Sequence, residues 1–498
     1  MPASPSTARA INDRLALRLL QDEGPLTAGQ LKQLTGLSRP TVADLVERLT
    51  ASGLIEVVGE AGARRRGPNA KLYGIVAGRA QLAALDVRTE GVAVLVSDLV
   101  GRVLAEASVP IGGDTGTGPA VEQAVTLVER VVKEAGADRL HTVGIGAPGL
   151  IDPASGELRD STGLPEWHRR LVAALQERLP DARVSVENET NLAALAEQRE
   201  GVARDRDTFV LLWLGHGTGA AVVLDGALRR GASGGTGEIG FLPVPGTTGL
   251  PSATDCEGGF HSLAGAAAIV ALAGEHGLSV PPHSDGPGAA AVVREAVLAA
   301  AAGPGRAAEA GDEAGRRSGS GGPREAGREP EAGHARVARS AHEAGPGCEA
   351  LPRTAGGSGD EPRVRDDARA GEEALLGRVG EPASGAPRAG RSASGQAPLA
   401  PDAARAGAAD GFLDALAERL AVGAASVVAV LDPGCVVLGG EVGQAGGEAL
   451  AARVEERLRR MAPLPTEVRP SGLGGAAVLR GALLTARESA QAELFGRP

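Results

Sequence analysis

Residues 27–53, TAGQLKQLTGLSRPTVADLVERLTASG, decide how the first part of this chain folds. Thr27 can cap a short helix running through Leu34. Thr35-Gly36-Leu37 then forms a turn in which Gly36 can take the positive φ that a tight helix–helix connection needs. Ser38 stands where a cap is required for a longer helix, Arg39 to Ser52, and Pro40 sits in its first turn, where a missing N–H is harmless. Gly53 ends it. Val42, Leu45, Val46 and Leu49 share one face of that helix, which leaves Arg39, Thr41, Asp44 and Arg48 on the other. A capped helix behind a glycine turn, with polar side chains facing out, is laid out like a recognition helix that reads base edges in the major groove.

Both flanks extend the pattern. Upstream, RAINDRLALRLLQD (9–22) places Ile11, Leu15, Leu17, Leu19 and Leu20 largely on one side of a helix. Downstream come a strand at Leu54–Val58, a loop at Gly59–Pro68 ending in Arg64-Arg65-Arg66-Gly67-Pro68, and a returning strand at Lys71–Ile75. Three consecutive arginines on a glycine-flanked wing suit phosphate or minor-groove contact. The spacing therefore predicts a winged helix-turn-helix over 1–80, with Ser38, Arg39, Thr41, Asp44, Arg48, Arg64, Arg65 and Arg66 as candidate contacts to double-stranded DNA. A winged helix used for protein contact is the plainer alternative. Charge favours DNA: residues 1–80 hold eleven Lys/Arg against seven Asp/Glu, a net of +4, although the whole chain carries −11. A basic head on an acidic body is what a DNA-binding module fused to a different domain would give.

The body reads as α/β. Strand-like runs at Leu82–Asp86, Val92–Ser97, Val143–Ile145, Thr208–Trp213 and Ala220–Leu224 alternate with helix-like stretches. Aromatic residues make up only 2% of the chain, so Ala, Val and Leu must build the cores. From about 302 to 409 the composition narrows to Gly, Ala, Pro, Arg, Glu and Ser, which cannot bury enough apolar surface to offset ordering entropy; a disordered insertion between two halves of one domain is expected. The ordered pattern resumes at Asp410, with a strand at Cys435–Leu438. The three cysteines have no paired spacing, which excludes a disulfide scaffold and suits a reducing cytosol. The chain starts without an apolar leader and holds no stretch of ~18 apolar residues, so a cytoplasmic protein without membrane spans is expected.

Five motifs of the body, in order, resemble the ROK (repressor, open reading frame, kinase) family. Val143-Gly144-Ile145-Gly146-Ala147-Pro148-Gly149-Leu150-Ile151-Asp152 looks like its strand-to-loop signature, and Val186-Glu187-Asn188-Glu189-Thr190-Asn191-Leu192-Ala193-Ala194 like its catalytic segment. Leu214-Gly215-His216-Gly217-Thr218-Gly219-Ala220 resembles its second phosphate loop. Gly231-Ala232-Ser233-Gly234-Gly235-Thr236-Gly237-Glu238-Ile239-Gly240 resembles its sugar-clasping turn, and Val436-Val437-Leu438-Gly439-Gly440-Glu441 its last strand. The resemblance implies an actin-like (ribonuclease H-like) two-lobed ATPase fold. The first lobe would span 81–200, completed by a helix at about 479–495, and the second 201–301 with 410–478. It also implies that Asn188, Glu189 and Glu238 are candidate sugar contacts, with a capping or turn role as the lesser alternative for Asn188.

Departures from the family pattern argue against catalysis. Where the kinases have Asp-x-Gly-Gly-Thr, this chain has Asp86-Val87-Arg88-Thr89-Glu90, so a side chain stands where the backbone should approach phosphate. Glu189 occupies the position of the Asp base and is one methylene longer. Phe241 replaces the His of the family's zinc site, its Cys-rich run keeps only Cys256, and Ser262 stands where a sugar-binding Glu is expected. The expectation is therefore no catalytic residue, no cofactor and no metal. The protein is read as a DNA-binding regulator, a repressor of carbohydrate genes, with a sugar or sugar phosphate as effector and a homodimeric or homotetrameric assembly. Two alternatives stand beside it: a sugar kinase with a DNA-binding appendage, and a regulator whose body is only a dimerisation scaffold.

Overall fold

The computed structural model describes residues 5–61, 70–159, 164–247, 249–252, 258–302 and 402–496. The wing arginines 64–66, Cys256 and residues 303–401, nearly all of the expected insertion, lie outside the described residues.

The head consists of α1 (Pro5–Asp22), β1 (Leu26–Thr27), α2 (Ala28–Thr35), α3 (Arg39–Ala51), β2 (Ile55–Ala61) and β3 (Ala70–Ile75). Its sheet has the order β1-β3-β2. Local chemistry sets each boundary. Thr27 and Gln30 form a reciprocal capping box on α2, and Gly36 at φ 69° closes that helix. Ser38 caps α3 and Gly53, at φ 68°, follows its end. Leu17, Leu31, Leu45, Leu49 and Ile55 are buried between these elements. In α1 the inward stripe is Ala16, Leu17 and Leu20, whereas Ile11 and Leu15 are 52% and 39% exposed. That corrects the single apolar face read from 9–22, because positions two apart on a helix point about 200° from each other.

Each lobe of the body is built on a five-stranded sheet. The first sheet contains β4 (Gln81–Arg88), β5 (Gly91–Asp98), β6 (Val103–Pro110), β7 (Thr142–Ala147) and β8 (Arg183–Asn188), in the order β6-β5-β4-β7-β8. The second contains β9 (Phe209–Leu214), β10 (Thr218–Leu224), β11 (Ala227–Arg229), β12 (Cys435–Gly439) and β13 (Glu467–Pro470), in the order β11-β10-β9-β12-β13. The two orders are the same: an antiparallel meander of three strands, then two strands parallel to the first. This is one topology used twice, and open sheets of this kind bind ligands beyond the carboxyl ends of their strands.

Helices α4 (Thr117–Glu134), α5 (Trp167–Arg178) and α6 (Glu189–Arg199) belong to the first lobe. Those of the second are α7 (His261–Ala264), α8 (Ala266–Glu275), α9 (Gly286–Ala301), α10 (Asp402–Leu431) and α11 (Gly440–Met461). The last helix, α12 (Ala477–Leu494), returns to the first sheet: Ala477, Val478 and Ala482 are buried with Ala84, Leu192 and Ala193. Helix α10 starts at 402 rather than the expected 410, because Ala406 and Ala409 are small enough to pack and are buried beside Phe412. The head is continuous with the body, since Leu82, Leu99 and Ala490 share a cluster with Leu17, Leu20 and Ile75. Among the described residues no helix is long and apolar enough to cross a membrane.

Candidate functional site

The outer face of α3 is less open than its sequence suggests. Ser38 Oγ accepts the Thr41 N–H at 3.3 Å and lies 2.8 Å from the Thr41 hydroxyl, so both side chains serve the helix start. Arg48 pairs with Asp13 of α1 at 2.5 Å and with Asp44 of its own helix. The Arg48–Asp13 pair ties α3 to α1, while Asp44 stays exposed on the outer face and pairs with Arg48 within its own helix. The Arg48 guanidinium is held further into its charged form, chiefly by the hydrogen bond to Asp13. Arg39 is exposed on the first turn, and among the described residues no ion pair engages it. Arg64, Arg65 and Arg66 fall outside the described residues.

In the body, the motifs converge at the strand ends. Asp86 lies two residues before the end of β4 and is only 4% exposed. Its Oδ2 accepts from Arg88 Nε at 3.0 Å, while its Oδ1 is buried without a partner among the described residues. Burial pushes the Asp86 carboxyl up, against the pull of Arg88. Arg88 also donates to Glu441, the second residue of α11, and so reaches from one lobe to the other. The Arg88 carbonyl lies 3.3 Å from Nε2 of His168, a buried imidazole whose pKa burial lowers to about 4. That ring is neutral at ordinary pH.

Asn188 is the N-cap of α6. Its Oδ1 accepts from the N–H groups of Thr190 (2.9 Å) and Asn191 (3.3 Å), and its Nδ2 donates to the Gly149 carbonyl at 3.0 Å and to Glu189 at 3.2 Å. The amide is spent on the fold, which corrects its reading as a sugar contact in favour of the capping role. Glu189 beside it is pushed up to about 8, mainly by burial, with the carboxylates of Asp86 and Glu238 adding and Arg88 opposing. Glu238 stands exposed at the start of a 3₁₀ turn, Ile239–Phe241. Glu187, at the end of β8, accepts from Arg230 Nε at 2.6 Å, just before the glycine-rich segment 231–240, and from Asn191 Nδ2 of α6 at 2.9 Å. Gly237, at φ 89°, is required there, since a Cβ would run into the Ala220 carbonyl. Ser262 accepts the Gly258 N–H at 3.0 Å. Among the described residues no cluster of His, Cys, Asp and Glu could hold a metal, and Cys256 lies outside them.

Sequence reading missed Glu441, His168 and Glu187 as members of this cleft. Glu441 and Glu187 carried a signal, through their places directly after Gly439-Gly440 and directly before Asn188, whereas His168 carried none.

Comparison with known proteins agrees with the geometry. The family model described as "ROK family" matches residues 82–303 and 373–489, and that described as "MarR family" matches residues 11–66. The xylose repressor of Caldicellulosiruptor bescii is 27% identical over 240 residues, 47% of this chain and 59% of the repressor. The DNA-binding transcriptional dual regulator NagC of Escherichia coli is 27% identical over 247 residues, 47% of this chain and 58% of NagC. The chain thus spans somewhat under three fifths of these relatives' length. Among solved structures, a ROK family transcriptional regulator homologous to the E. coli MLC protein superposes with a TM-score of 0.62 at 17% identity, covering 98% of both chains. A ROK family glucokinase from Streptomyces griseus, in complex with glucose and AMPPNP, gives 0.50 at 20% identity, over 82% of this chain and 99% of the kinase. The fold is thus common to a regulator and a kinase. With a winged helix in front, two lobes of one topology behind it, and a family match over more than half of its length, this chain belongs to the ROK family.

Proposed function

We propose that this protein is a DNA-binding transcriptional regulator, a repressor of carbohydrate-metabolism genes, whose kinase-like body does not phosphorylate sugars. The observation that carries the reading is Arg39: an exposed guanidinium on the first turn of a helix that is capped at Ser38 and braced through Arg48. A rigid helix offering a free arginine from its N-terminal turn suits bidentate contact with a guanine edge. The wing arginines Arg64, Arg65 and Arg66 supply phosphate contacts in this reading. The printed names of the relatives, a xylose repressor and NagC, support a role in sugar metabolism.

Two features of the cleft speak against phosphoryl transfer. Arg88 stands where the kinases have the first glycine of their phosphate loop and is engaged by Asp86 and Glu441, and Glu189 is one methylene longer than the kinases' Asp base, a displacement that proton transfer tolerates poorly. A sugar or sugar phosphate would act as effector: binding between the lobes, it would change their closure and the spacing of two heads in a homodimer or homotetramer in the cytoplasm. A second reading, in which the body is only a dimerisation scaffold, is favoured by the internal use of Asn188.

The test selects genomic DNA fragments with the full chain and screens sugars and sugar phosphates by thermal shift. Recovery of one sequence-specific site supports the regulator, and a ligand-dependent rise in Tm separates sensor from scaffold. ATP-dependent phosphorylation of any sugar in the panel overturns the non-catalytic reading.

A further inference from the structure

We propose that the free edge of the first sheet is an interface for a second copy of this chain, formed by β6 and α4 together. The inference goes beyond the regulator reading and holds whatever the head binds. β6 is the outermost strand of its sheet, and among the described residues no strand pairs with its far side. Eight residues of unpaired main chain are a template for another strand. The chain leaves β6 at Pro110 and enters α4 at Thr117, so the helix runs back along the strand. Ala105, Ala107 and Val109 pack against the cluster that holds Ala124 and Val128 of α4. Beside them lies a groove of about 500 Å³, walled by Val109 of β6 and by Pro119, Glu122, Thr126, Leu127 and Arg130 of α4.

A second copy fits because strand and helix are both self-complementary about one two-fold axis. Antiparallel pairing of β6 with its own copy needs an axis perpendicular to the sheet, passing through a residue of the strand. An axis at Glu106 would set two like charges opposite each other, which is unfavourable. At Ala107, Ala105 meets the partner's Val109, and Glu106 meets the partner's Ser108, whose hydroxyl can donate to the carboxylate. The same axis passes near the middle of α4. Eight strand residues span about 26 Å and eighteen helical residues about 27 Å, so the two midpoints lie close together. That of α4 falls between Val125 and Thr126. Glu122 and Arg130 stand four residues to either side of Thr126, so each faces the opposite charge on an antiparallel partner helix. Within one chain both are held loosely: Arg130 is 3.9 Å from Glu134 and Glu122 is 3.6 Å from Arg178, all about half exposed or more. Exposed pairs of this kind contribute little and can exchange for partners across the axis. Each helix would then cover the groove beside the other's strand. A face about 26 Å long and two elements wide buries on the order of 500 Å² per copy, which places association in the micromolar range.

Sedimentation velocity of the full chain over a micromolar concentration series, without DNA or sugar, tests this. Wild type should show a step that doubles its mass. Glu122→Arg and Arg130→Glu each set like charges across the axis and should raise the dissociation constant of that step about tenfold or more. The reversed pair Glu122→Arg/Arg130→Glu restores opposite charges and should return it to within about threefold of wild type. Ser108→Glu, on the other face of the strand, opposes the partner's Glu106 and should weaken the same step without touching α4. All these positions are exposed, so melting temperatures should stay near that of wild type. Should one charge variant melt far lower, the reversed pair and Ser108→Glu still decide. A step unchanged in both single variants puts the second copy on another face and overturns the proposal, as does a loss that the reversed pair fails to recover. A wild type that never doubles leaves this edge to a strand of some other protein and overturns it too. Because mass is read without DNA, none of these outcomes bears on the regulator reading.

Discussion

Arg48, in the second half of α3, is held 2.5 Å from Asp13 of α1, and its other nitrogen is bound to Asp44 one turn back on its own helix. The helix that presents Arg39 is thereby clamped to the helix behind it. The clamp uses a cation that would otherwise belong to the outer face, so bracing and base contact fall to different arginines.

Arg48→Ala should loosen the head without altering sequence preference. Because Arg48 is about one third exposed, its loss is expected to cost no more than about 1 kcal/mol. Chemical denaturation should show the loss, while affinity for selected and scrambled DNA falls by a similar factor. A selective loss for the selected site would return Arg48 to the base-reading set.

Arg39→Ala should do the opposite. Discrimination between the selected and the scrambled fragment should shrink by about 1–3 kcal/mol, with the fold unchanged. Arg64→Ala with Arg65→Ala should weaken both DNAs about equally and reduce the slope of log K against log salt by roughly 2. Fluorescence anisotropy across a salt series distinguishes the two outcomes.

Glu189→Gln should make the protein more stable at pH 8 than wild type and leave it nearly equal at about pH 4, below the unfolded glutamate pKa. The folded-state pKa of about 8 lies above that of an unfolded glutamate. Wild-type folding therefore retains a proton, and the stability this brings is full below the unfolded pKa and drains away as pH rises through 8. Glutamine mimics the protonated acid at every pH. Melting curves at both pH values check the crossover, and a constant difference would mean that burial of Glu189 is not what shapes it.

Gly481→Ala should be among the most damaging small changes in the body. A Cβ on Gly481 would drive into the Leu192 carbonyl, a main-chain atom of α6 that has no rotamer by which to yield. Overpacking of this kind costs about 3 kcal/mol. Gly136→Ala, where a Cβ meets nothing but φ is +66°, isolates backbone strain and should cost about 1 kcal/mol. Urea denaturation of the two variants side by side gives the comparison.

The head was legible from sequence because its determinants are local. Thr27 with Gln30, Gly36, Ser38 and Gly53 act within a few residues of where they stand, so caps and turns could be read without knowing what packs on what. The family resemblance of the body was equally legible, since glycines at 237 and 440 are demanded by close main-chain approach and stand inside short motifs. Helical periodicity was less decisive in α1, where Ile11 and Leu15 extend the apolar pattern but stay in solvent.

Thus the sequence by itself determined the kinds of element, their order and the basic head. Tertiary structure decided which polar groups remained free to act. Asn188 became a cap, Arg48 a clamp on Asp13, and Arg88 a bridge to Glu441. The physical reason is common to all three: a polar group partly withdrawn from water takes the partner that packing brings within reach. For Arg48 and Arg88 that partner lay 35 and 353 residues away, chosen by which surfaces the packed cores brought together.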